Sequence, residues 1–440
     1  MNGFKLLTIR GSALACLCVL VALVAWPERP VHAADLQTAV HTQAETGIEV
    51  FDHDLYATVG LGGGLQGNYG DLKLYAPLRL RLSDGAPLAV EGAPALRRQD
   101  WDELGDFLHI LRHATLRDPG ERGSLQIGQL QGVTLGHGTL IDRYYNDLDF
   151  DHHQTGVHAS GDGGWVGGQA IVSDVISHKP AGFRVFGRPF WGHGSRLGSL
   201  TVGVNAALDQ VAAYAPLRLF GLDIGSDIWQ GNGQAIDLYV DGNTRIHGGQ
   251  GLHAGADYRW TGAHAYVQLR LELQWLHGAY DPAALDTLYA IERSQIGPAI
   301  AWLDPQGHVQ SLVIDRTLAT SALTGERLGA LGSLQGAVGG VRYVAKVDFR
   351  GQDGWGAYGW LVLPPWQGLE GRLFFGQRHL QAWHDLGQGA MAQAQLRFRV
   401  QGPWYASLFS GRQWHQDPAG LYRADWDVVA MVGLDGVPGR

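Results

Sequence analysis

The chain has 440 residues and a formal net charge of −9, and 64 of the residues are glycine, roughly twice the ordinary share. Hydrophobic residues make up 45% of the chain and charged residues 17%, which excludes intrinsic disorder because disorder needs low hydrophobicity and high charge. Glycine at this density also disfavours a helical bundle, since each glycine inside a helix costs about 1 kcal/mol. The length is compatible with one large β structure or with two to three smaller domains.

Residues 1–33 predict a cleaved secretory signal. A basic start precedes an uncharged apolar run at 11–26, and Val31-His32-Ala33 fits a small-residue cleavage site. A retained signal anchor is the alternative, but this run is shorter than the ~20 residues that a membrane helix needs. Both cysteines lie in this segment, so the mature chain is expected to lack disulfides and cysteine metal sites. Cleavage leaves 30 basic and 41 acidic residues, a balance that gives nucleic-acid binding no support.

Apolar and polar residues alternate with a period of two along the rest of the chain and predict long β-strands. Clear examples are 71–82, 264–276, 342–350, 370–378 and 391–401. Their lengths fit strands that cross a bilayer at a tilt, about 9–11 residues, better than soluble strands of about 5–6 residues. Charged residues occur in the middle of the polar faces, where a solvated lumen would accommodate them.

Turn sequences separate these runs. We expect hairpin turns at Asp162-Gly163-Gly164, Gly231-Asn232-Gly233, Asp241-Gly242-Asn243 and Gln352-Asp353-Gly354, because these residues tolerate positive φ. Asp241-Gly242 is also compatible with a bulge inside a strand. At roughly 25 residues for each strand and its connection, the mature chain predicts about 16 strands, with a range of about 14–18.

Two stretches do not have the strand pattern. In 84–122, the apolar spacing from Trp101 onward predicts a short helix capped by Asp100, with a strand beginning near Phe107 as the alternative. In 278–331, Asp281-Pro282 predicts the start of a second helix. We expect each stretch to be an outer loop or to fold into the lumen.

These features together predict an all-β fold, a transmembrane antiparallel β-barrel, because strands in lipid must close on themselves to satisfy their backbone groups. The expected organisation is a signal at 1–33, a short periplasmic segment at 34–50 and a single barrel over 51–440. Tryptophans near the predicted strand ends are expected to anchor the barrel at the membrane interface. They are Trp165, Trp191, Trp229, Trp260, Trp355, Trp404 and Trp426.

The segment Leu135-Gly136-His137-Gly138-Thr139, followed by Tyr144-Tyr145-Asn146 and Asp149-Phe150-Asp151-His152, resembles porin-like outer-membrane barrels of Gram-negative bacteria. As a pattern, the resemblance extends over most of the mature chain. It implies an outer-membrane location, contact with lipid and lipopolysaccharide, insertion by the outer-membrane assembly machinery, and compatibility with a homo-oligomer. Such barrels usually end in an aromatic residue, whereas the last strand expected here, 423–434, is followed by a short tail.

Three aspartates at alternate positions would share one face of an extended segment. They are Asp147, Asp149 and Asp151. They predict an acidic mouth, or a Ca²⁺ site if a loop wraps around them, although the glycine and the glutamate of an EF-hand are missing. No other cofactor is expected.

The polar strand faces carry the residues that we expect to line a pore. Basic positions outnumber acidic ones, and charged rings select ions by sign, so a weak anion preference is expected. The alternative is that these charges pair across the lumen and plug it. The candidates are Lys73, Arg79, Arg81, Arg184, Arg188, Asp237, Asp241, Arg270, Glu272, Arg342, Lys346, Arg372, Arg397 and Arg399.

The sequence therefore predicts a porin-like channel for the passive passage of small polar or ionic solutes, without enzymatic activity. A second hypothesis is a non-conducting barrel that displays 84–122 and 278–331 for binding or anchoring. A third is a hydrolase active at the rim, since several histidines cluster within 137–158. However, Gly194-Ser195 lacks a specific nucleophile setting.

Overall fold

The computed structural model describes most of the chain after the predicted signal. Within the part of the chain that it describes, no helix has the length and apolar character needed to cross a bilayer. The described residues are 38–51, 54–83, 96–97, 100–117, 122–148, 154–177, 180–194, 196–210, 216–294, 299–303, 309–313, 324–351, 354–380, 390–416 and 422–436.

Strands dominate the structure, and 20 of them form one sheet. In chain order the strands are β1 Thr38–Phe51, β2 Asp54–Gly67, β3 Gly70–Ser83, β4 Leu111–Arg117, β5 Gly123–Gly128, β6 Ile141–Asp142, β7 Gly156–Asp162, β8 Val166–Val172, β9 Ala181–Gly187, β10 Thr201–Asp209, β11 Leu217–Gly231, β12 Gln234–Arg245, β13 Gly249–Thr261, β14 Ala265–Gly278, β15 Leu285–Asp286, β16 Ala299–Leu303, β17 Val309–Val313, β18 Glu326–Val338, β19 Val341–Phe349, β20 Trp355–Trp366, β21 Leu369–Leu380, β22 Met391–Gln401, β23 Trp404–Gln416 and β24 Tyr422–Gly436.

The large sheet closes into a barrel. Each of its strands pairs antiparallel with the next along the chain, and β24 pairs with β1, for example Val432 opposite Thr46. Strands β6 and β15 pair with each other in parallel outside this sheet, and β16 pairs with β17. The predicted fold class, an antiparallel β-barrel, is confirmed.

The barrel has 20 strands, more than the predicted number of about 16. One reason is that several connections are only two residues long, as between β11 and β12. Another is that β4, β5 and β7 to β9 have only 6–7 residues each, too short for a clear alternating pattern.

The N-terminal boundary of the barrel lies earlier than predicted. The range 38–50 belongs to β1 and pairs with β2 on one side and β24 on the other, so it is not a periplasmic segment. Its outward face mixes the polar residues Thr42 and Thr46 and the small residue Ala44 with larger apolar residues. This weak contrast between its two faces hides the period-two pattern.

Side-chain exposure follows the predicted alternation. In β14, the outward Leu273 is 71% exposed, whereas the neighbouring inward Glu272 is 4% exposed. In β3, Leu78 and Leu80 are exposed and Arg79 between them is buried. An apolar outer face and a polar inner face are the arrangement of a barrel wall between lipid and lumen.

The two ends of the barrel differ in their connections. Short turns at 68–69, 232–233, 339–340, 367–368 and 402–403 lie at one end, and the long connections 84–110, 129–155 and 279–325 lie at the other. Outer-membrane barrels place short turns in the periplasm and long loops outside. By this rule the long connections would lie at the extracellular end.

Two of the predicted hairpin turns are confirmed. Gly231-Asn232-Gly233 joins β11 to β12 with positive φ at Asn232 (52°) and Gly233 (72°), and Asp162-Gly163-Gly164 leads from β7 to β8. Asp241-Gly242-Asn243 is not a turn but lies within β12, because Asp241 and Asn243 find hydrogen-bond partners inside the lumen. In the fourth turn, Gln352 and Asp353 lie outside the described residues.

The two predicted helices start at different residues from those expected. Helix α1, Leu104–Leu108, is capped by Glu103, because the carboxylate of Asp100 binds Arg97 and Arg79 instead. Helix α2, Tyr289–Ser294, begins well after Asp281-Pro282.

The reason for the later start of α2 lies in the residues after Asp281. The carboxylate of Asp281 is held by Arg350, and Ala283 has a positive φ of 47°, which interrupts a helical path.

Candidate functional site: the barrel lumen

Two segments from the end with the long connections fold into the lumen. They are the first inserted segment, residues 129–148, and the second inserted segment, residues 279–291. Their short strands β6 and β15 run side by side, with Leu285 N–H donating to the Leu140 carbonyl at 3.2 Å. Leu140 and Leu285 pack in one buried apolar cluster with wall residues such as Leu219 and Leu276. Apolar packing thus fixes both segments against the wall.

Ion pairs attach the first inserted segment to the wall. The Lys346 ammonium of β19 lies 2.5 Å from Asp142, and Arg270 of β14 lies 3.9 Å from the same carboxylate. Burial alone would raise the pKa of Asp142, but Lys346, Arg270 and Arg143 outweigh it and hold that pKa below its ordinary value. Asp142 therefore stays ionised inside the barrel.

The second inserted segment is held by a matching set of contacts. Arg350 binds Asp281 at 2.5 Å, and Arg378 binds Asp286. The hydroxyl of Tyr358 donates to the other oxygen of Asp286 at 3.0 Å. Because each of these carboxylates is buried with a guanidinium partner, the desolvation of both charges is offset.

Further charges pair along the wall between β9 and β14. Arg184 donates twice to Asp223, at 3.1 and 2.5 Å, while Asp241 accepts from Thr139 at 2.8 Å and lies 2.9 Å from His137 Nδ1. Ligand atoms of His137, Asp223 and Asp241 lie within 4.8 Å of one another, a spacing that could hold a metal ion. Both carboxylates already have partners, so the arrangement is accounted for as an ion-pair network.

On the opposite side, the first inserted segment leaves an open chamber of about 850 Å³. Strands β1 to β5 and β21 to β24 form its wall, and Gln129 and Gln131 of the first inserted segment face it. Its basic side chains include Lys73, Arg79, Arg112, Arg117, Arg372 and Arg397. A smaller cavity of about 200 Å³ adjoins the chamber and shares Gln129, Gln131 and Arg372 with it.

The acidic residues of the chamber are occupied by nearby donors. Glu45 accepts from Tyr405 at 2.6 Å and from Tyr75, and Glu49 accepts from Arg79 at 2.5 Å. Asp71 binds His113 at 2.7 Å, and Asp435 binds Arg397 at 2.5 Å. Glu49, Asp71 and Asp435 therefore each have an arginine partner, Asp71 through Arg117 at 3.4 Å, whereas the donors to Glu45 are uncharged.

Two basic residues of the chamber lack such compensation. Among the residues that the structure describes, neither Lys73 nor Arg372 has a carboxylate within 4.0 Å; Arg372 instead lies over the Trp360 ring at 5.8 Å. The chamber therefore presents uncompensated positive charge.

The candidate pore-lining residues divide into three groups. Arg184, Asp241, Arg270, Glu272 and Lys346 are buried in ion pairs or hydrogen bonds with wall residues or with the first inserted segment. Lys73, Arg79, Arg372 and Arg397 line the chamber. The others lie towards the barrel ends: Arg81 pairs with Asp54, Arg188 with Asp162 and Asp237 with Arg259, while Arg342 and Arg399 are exposed.

The predicted acidic mouth is described only at its first member. Asp147 accepts from Gln131 in the smaller cavity, and enclosure there raises the pKa of Asp147 to about 6. Asp149 and Asp151 lie outside the described residues, as do His152 and Ser195.

Comparison with solved structures finds matches that span most of the chain at low sequence identity. OpdK of Pseudomonas aeruginosa with vanillate is 12% identical, the match covers 91% of this chain and 99% of that chain, and the TM-score is 0.35. OccK8 (OprE) of the same species is 10% identical, with 92% and 99% covered and a TM-score of 0.33. OccAB4 of Acinetobacter baumannii is 8% identical, with 91% and 97% covered and a TM-score of 0.35. No family model and no curated protein matches the chain.

The decisive observation is the barrel itself. An even number of antiparallel strands closes without an edge, the outer face is apolar, and short turns at one end oppose long loops at the other. The chain is a closed antiparallel β-barrel of the transmembrane type. Of the tryptophans expected at its interfaces, Trp260 is half-buried and the other six are exposed.

Several lumen residues of this barrel are absent from the predicted set. Glu45 and Glu49 are missing from that set because the range 34–50 was predicted to be a periplasmic segment and not a strand of the barrel. Gln393 and Gln395 lie on the predicted polar face of β22, but neutral amides give no charge signal. Arg112 lies in the short strand β4, where the period is too brief to detect.

Proposed function

We propose that this barrel is a passive channel for small polar or ionic solutes, with an anion preference and no chemistry of its own. The observation that carries the proposal is the chamber of about 850 Å³ between the first inserted segment and the wall. It is lined by charged and amide side chains, which suit hydrated solutes. Export through a cleaved signal at 1–33 is part of this proposal.

The anion preference is supported by the balance of partnered charge. Glu45, Glu49 and Asp435 are each held by donors, whereas Lys73 and Arg372 have no described acidic partner within ion-pair distance. A mobile anion would meet these two cations, whereas a mobile cation would meet Glu49 and Asp435 already paired with arginines and Glu45 held only by uncharged donors.

A salt gradient across a planar bilayer tests this preference. We expect the reversal potential of the native protein to indicate anion preference, and the double variant Lys73→Met/Arg372→Met to lose most of it. Arg342→Met is the matched control, since Arg342 is exposed at the start of β19. Clear cation selectivity of the native channel would contradict the proposal.

A second function, a non-conducting barrel that displays its outer loops, is favoured by one observation. The inserted segments fill the lumen beside β8 to β22 with buried apolar groups and ion pairs. If they also close the chamber, a correctly folded barrel will insert into bilayers without any conductance steps.

A further inference from the structure

The smaller cavity contains a hydrogen-bond acceptor and a hydrogen-bond donor that are buried without a partner. Asp147 and Trp360 both line this space of about 200 Å³. Oδ1 of Asp147 is shielded from solvent and accepts no hydrogen bond, and the indole Nε1 of Trp360 is shielded and donates none. Leaving such groups unmatched costs about 1–3 kcal/mol each, so a group that satisfies both would gain that energy.

A hydroxyl group has the required chemistry. Its O–H can donate to a carboxylate oxygen while its oxygen accepts from an indole N–H. A carboxylate ligand could accept from Trp360 but would be repelled by Asp147. An ammonium ligand could donate to Asp147 but offers no acceptor to Trp360.

The rest of the cavity is also matched to an uncharged polar solute. Arg112 and Arg372 line it together with Asp147, so an ion of either sign meets at least one group of its own sign. The side-chain amides of Gln129 and Gln395 line it and make no side-chain hydrogen bond to another described residue. Amides donate and accept equally well, as several neighbouring hydroxyls require. Phe409 adds an apolar surface.

We propose that this cavity is a subsite for an uncharged polyhydroxylated solute of monosaccharide size. The inference rests on the proposed channel only in that solutes reach the cavity from the adjoining chamber. The subsite would hold a sugar by hydroxyl contacts to Asp147, Trp360 and the two glutamine amides.

Glucose and benzoate are suitable probes, because they are similar in size but differ in hydroxyl content and charge. Saturation-transfer NMR on the detergent-solubilised protein measures binding, and block of the ionic current in a planar bilayer measures occupancy of the channel. We expect glucose to bind and block, and benzoate neither to bind at the cavity nor to compete.

Two variants test the named contacts. Trp360→Phe keeps the ring and removes the N–H, and Asp147→Ala removes the acceptor; each is expected to weaken glucose binding about tenfold, or 1.4 kcal/mol. Trp355→Phe and Asp102→Ala are matched controls at exposed positions and should bind like the native protein.

Failure of the subsite and failure of the channel give different results. Ionic conductance with no glucose binding, with benzoate binding equally well, or with unchanged binding in both variants overturns the subsite alone. Glucose binding in NMR without any conductance supports the subsite and overturns the channel.

Discussion

Individual buried charges in the lumen affect the stability of the folded barrel. Lys346 is 2% exposed and lies 2.5 Å from Asp142, so each charge depends on the other for compensation. Removing one partner of a buried pair leaves an uncompensated charge, which typically costs about 3–5 kcal/mol, whereas replacing both by apolar groups is often nearly neutral. The difference between these two cases can be measured here.

We expect Lys346→Met to lower the free energy of unfolding by about 3 kcal/mol, because the charged partners that Asp142 then keeps, Arg270 and Arg143, are more distant. Urea unfolding in detergent micelles measures this loss. The double variant Lys346→Met/Asp142→Leu should recover most of the stability. If the single variant is as stable as the native protein, the pair does not hold the segment.

We expect the ion selectivity of the lumen to depend on pH through the charge of Asp147. Its pKa is raised to about 6 by burial, so its charge changes from −1 to neutral as pH falls from 7 to 5. Less negative charge beside Arg372 should strengthen the anion preference. Reversal potentials at pH 7 and 5 measure this change, and Asp147→Asn should abolish it while Asp102→Asn leaves it intact. A native preference that weakens at pH 5 would contradict the assignment.

Elements differ in how far their sequences determine them. The alternation in 264–276 and 391–401 predicted β14 and β22 closely, because each wall residue faces either lipid or lumen. Strand β1 escaped prediction because its outward threonines resemble lumen residues. The inserted segments have no local signature, since contacts with distant strands, such as Arg378 with Asp286, hold them in place.

The second inserted segment is expected to loosen when its anchors are removed. Asp281→Asn/Asp286→Asn leaves Arg350 and Arg378 without these carboxylates, so we expect a larger single-channel conductance and a lower unfolding temperature. Bilayer recording and heat-induced mobility shifts measure the two effects. Asp102→Asn serves as the control, and an unchanged conductance with reduced stability would show that the segment does not border the permeation path.

At the scale of the whole molecule, the apolar outer face requires lipid. Leu273, 71% exposed in β14, is on this face. Leu273→Arg should cost about 2–4 kcal/mol of folding free energy in bilayers if the residue lies near the midplane. Refolding titrations into vesicles measure the cost, with Leu273→Ala as the control. Equal stability of the arginine variant would mean that this face is not covered by lipid.

The barrel class could be predicted from the sequence, but the strand number and the state of the lumen could not. Period-two patterns report which side of the wall a residue faces, and that is enough to identify a barrel. They do not report which charges pair across the lumen. Lys73 and Lys346 have the same pattern in sequence, yet one lines the chamber and the other is buried against Asp142.

Single-channel recording of the purified, folded protein in a planar bilayer tests the central claim most directly. An open chamber predicts stepwise current increments at each insertion, with a reversal potential in a salt gradient that shows anion preference. Heat-modifiable mobility on gels confirms that the inserted protein is folded. A folded barrel that inserts without current steps would contradict the channel and favour the non-conducting alternative.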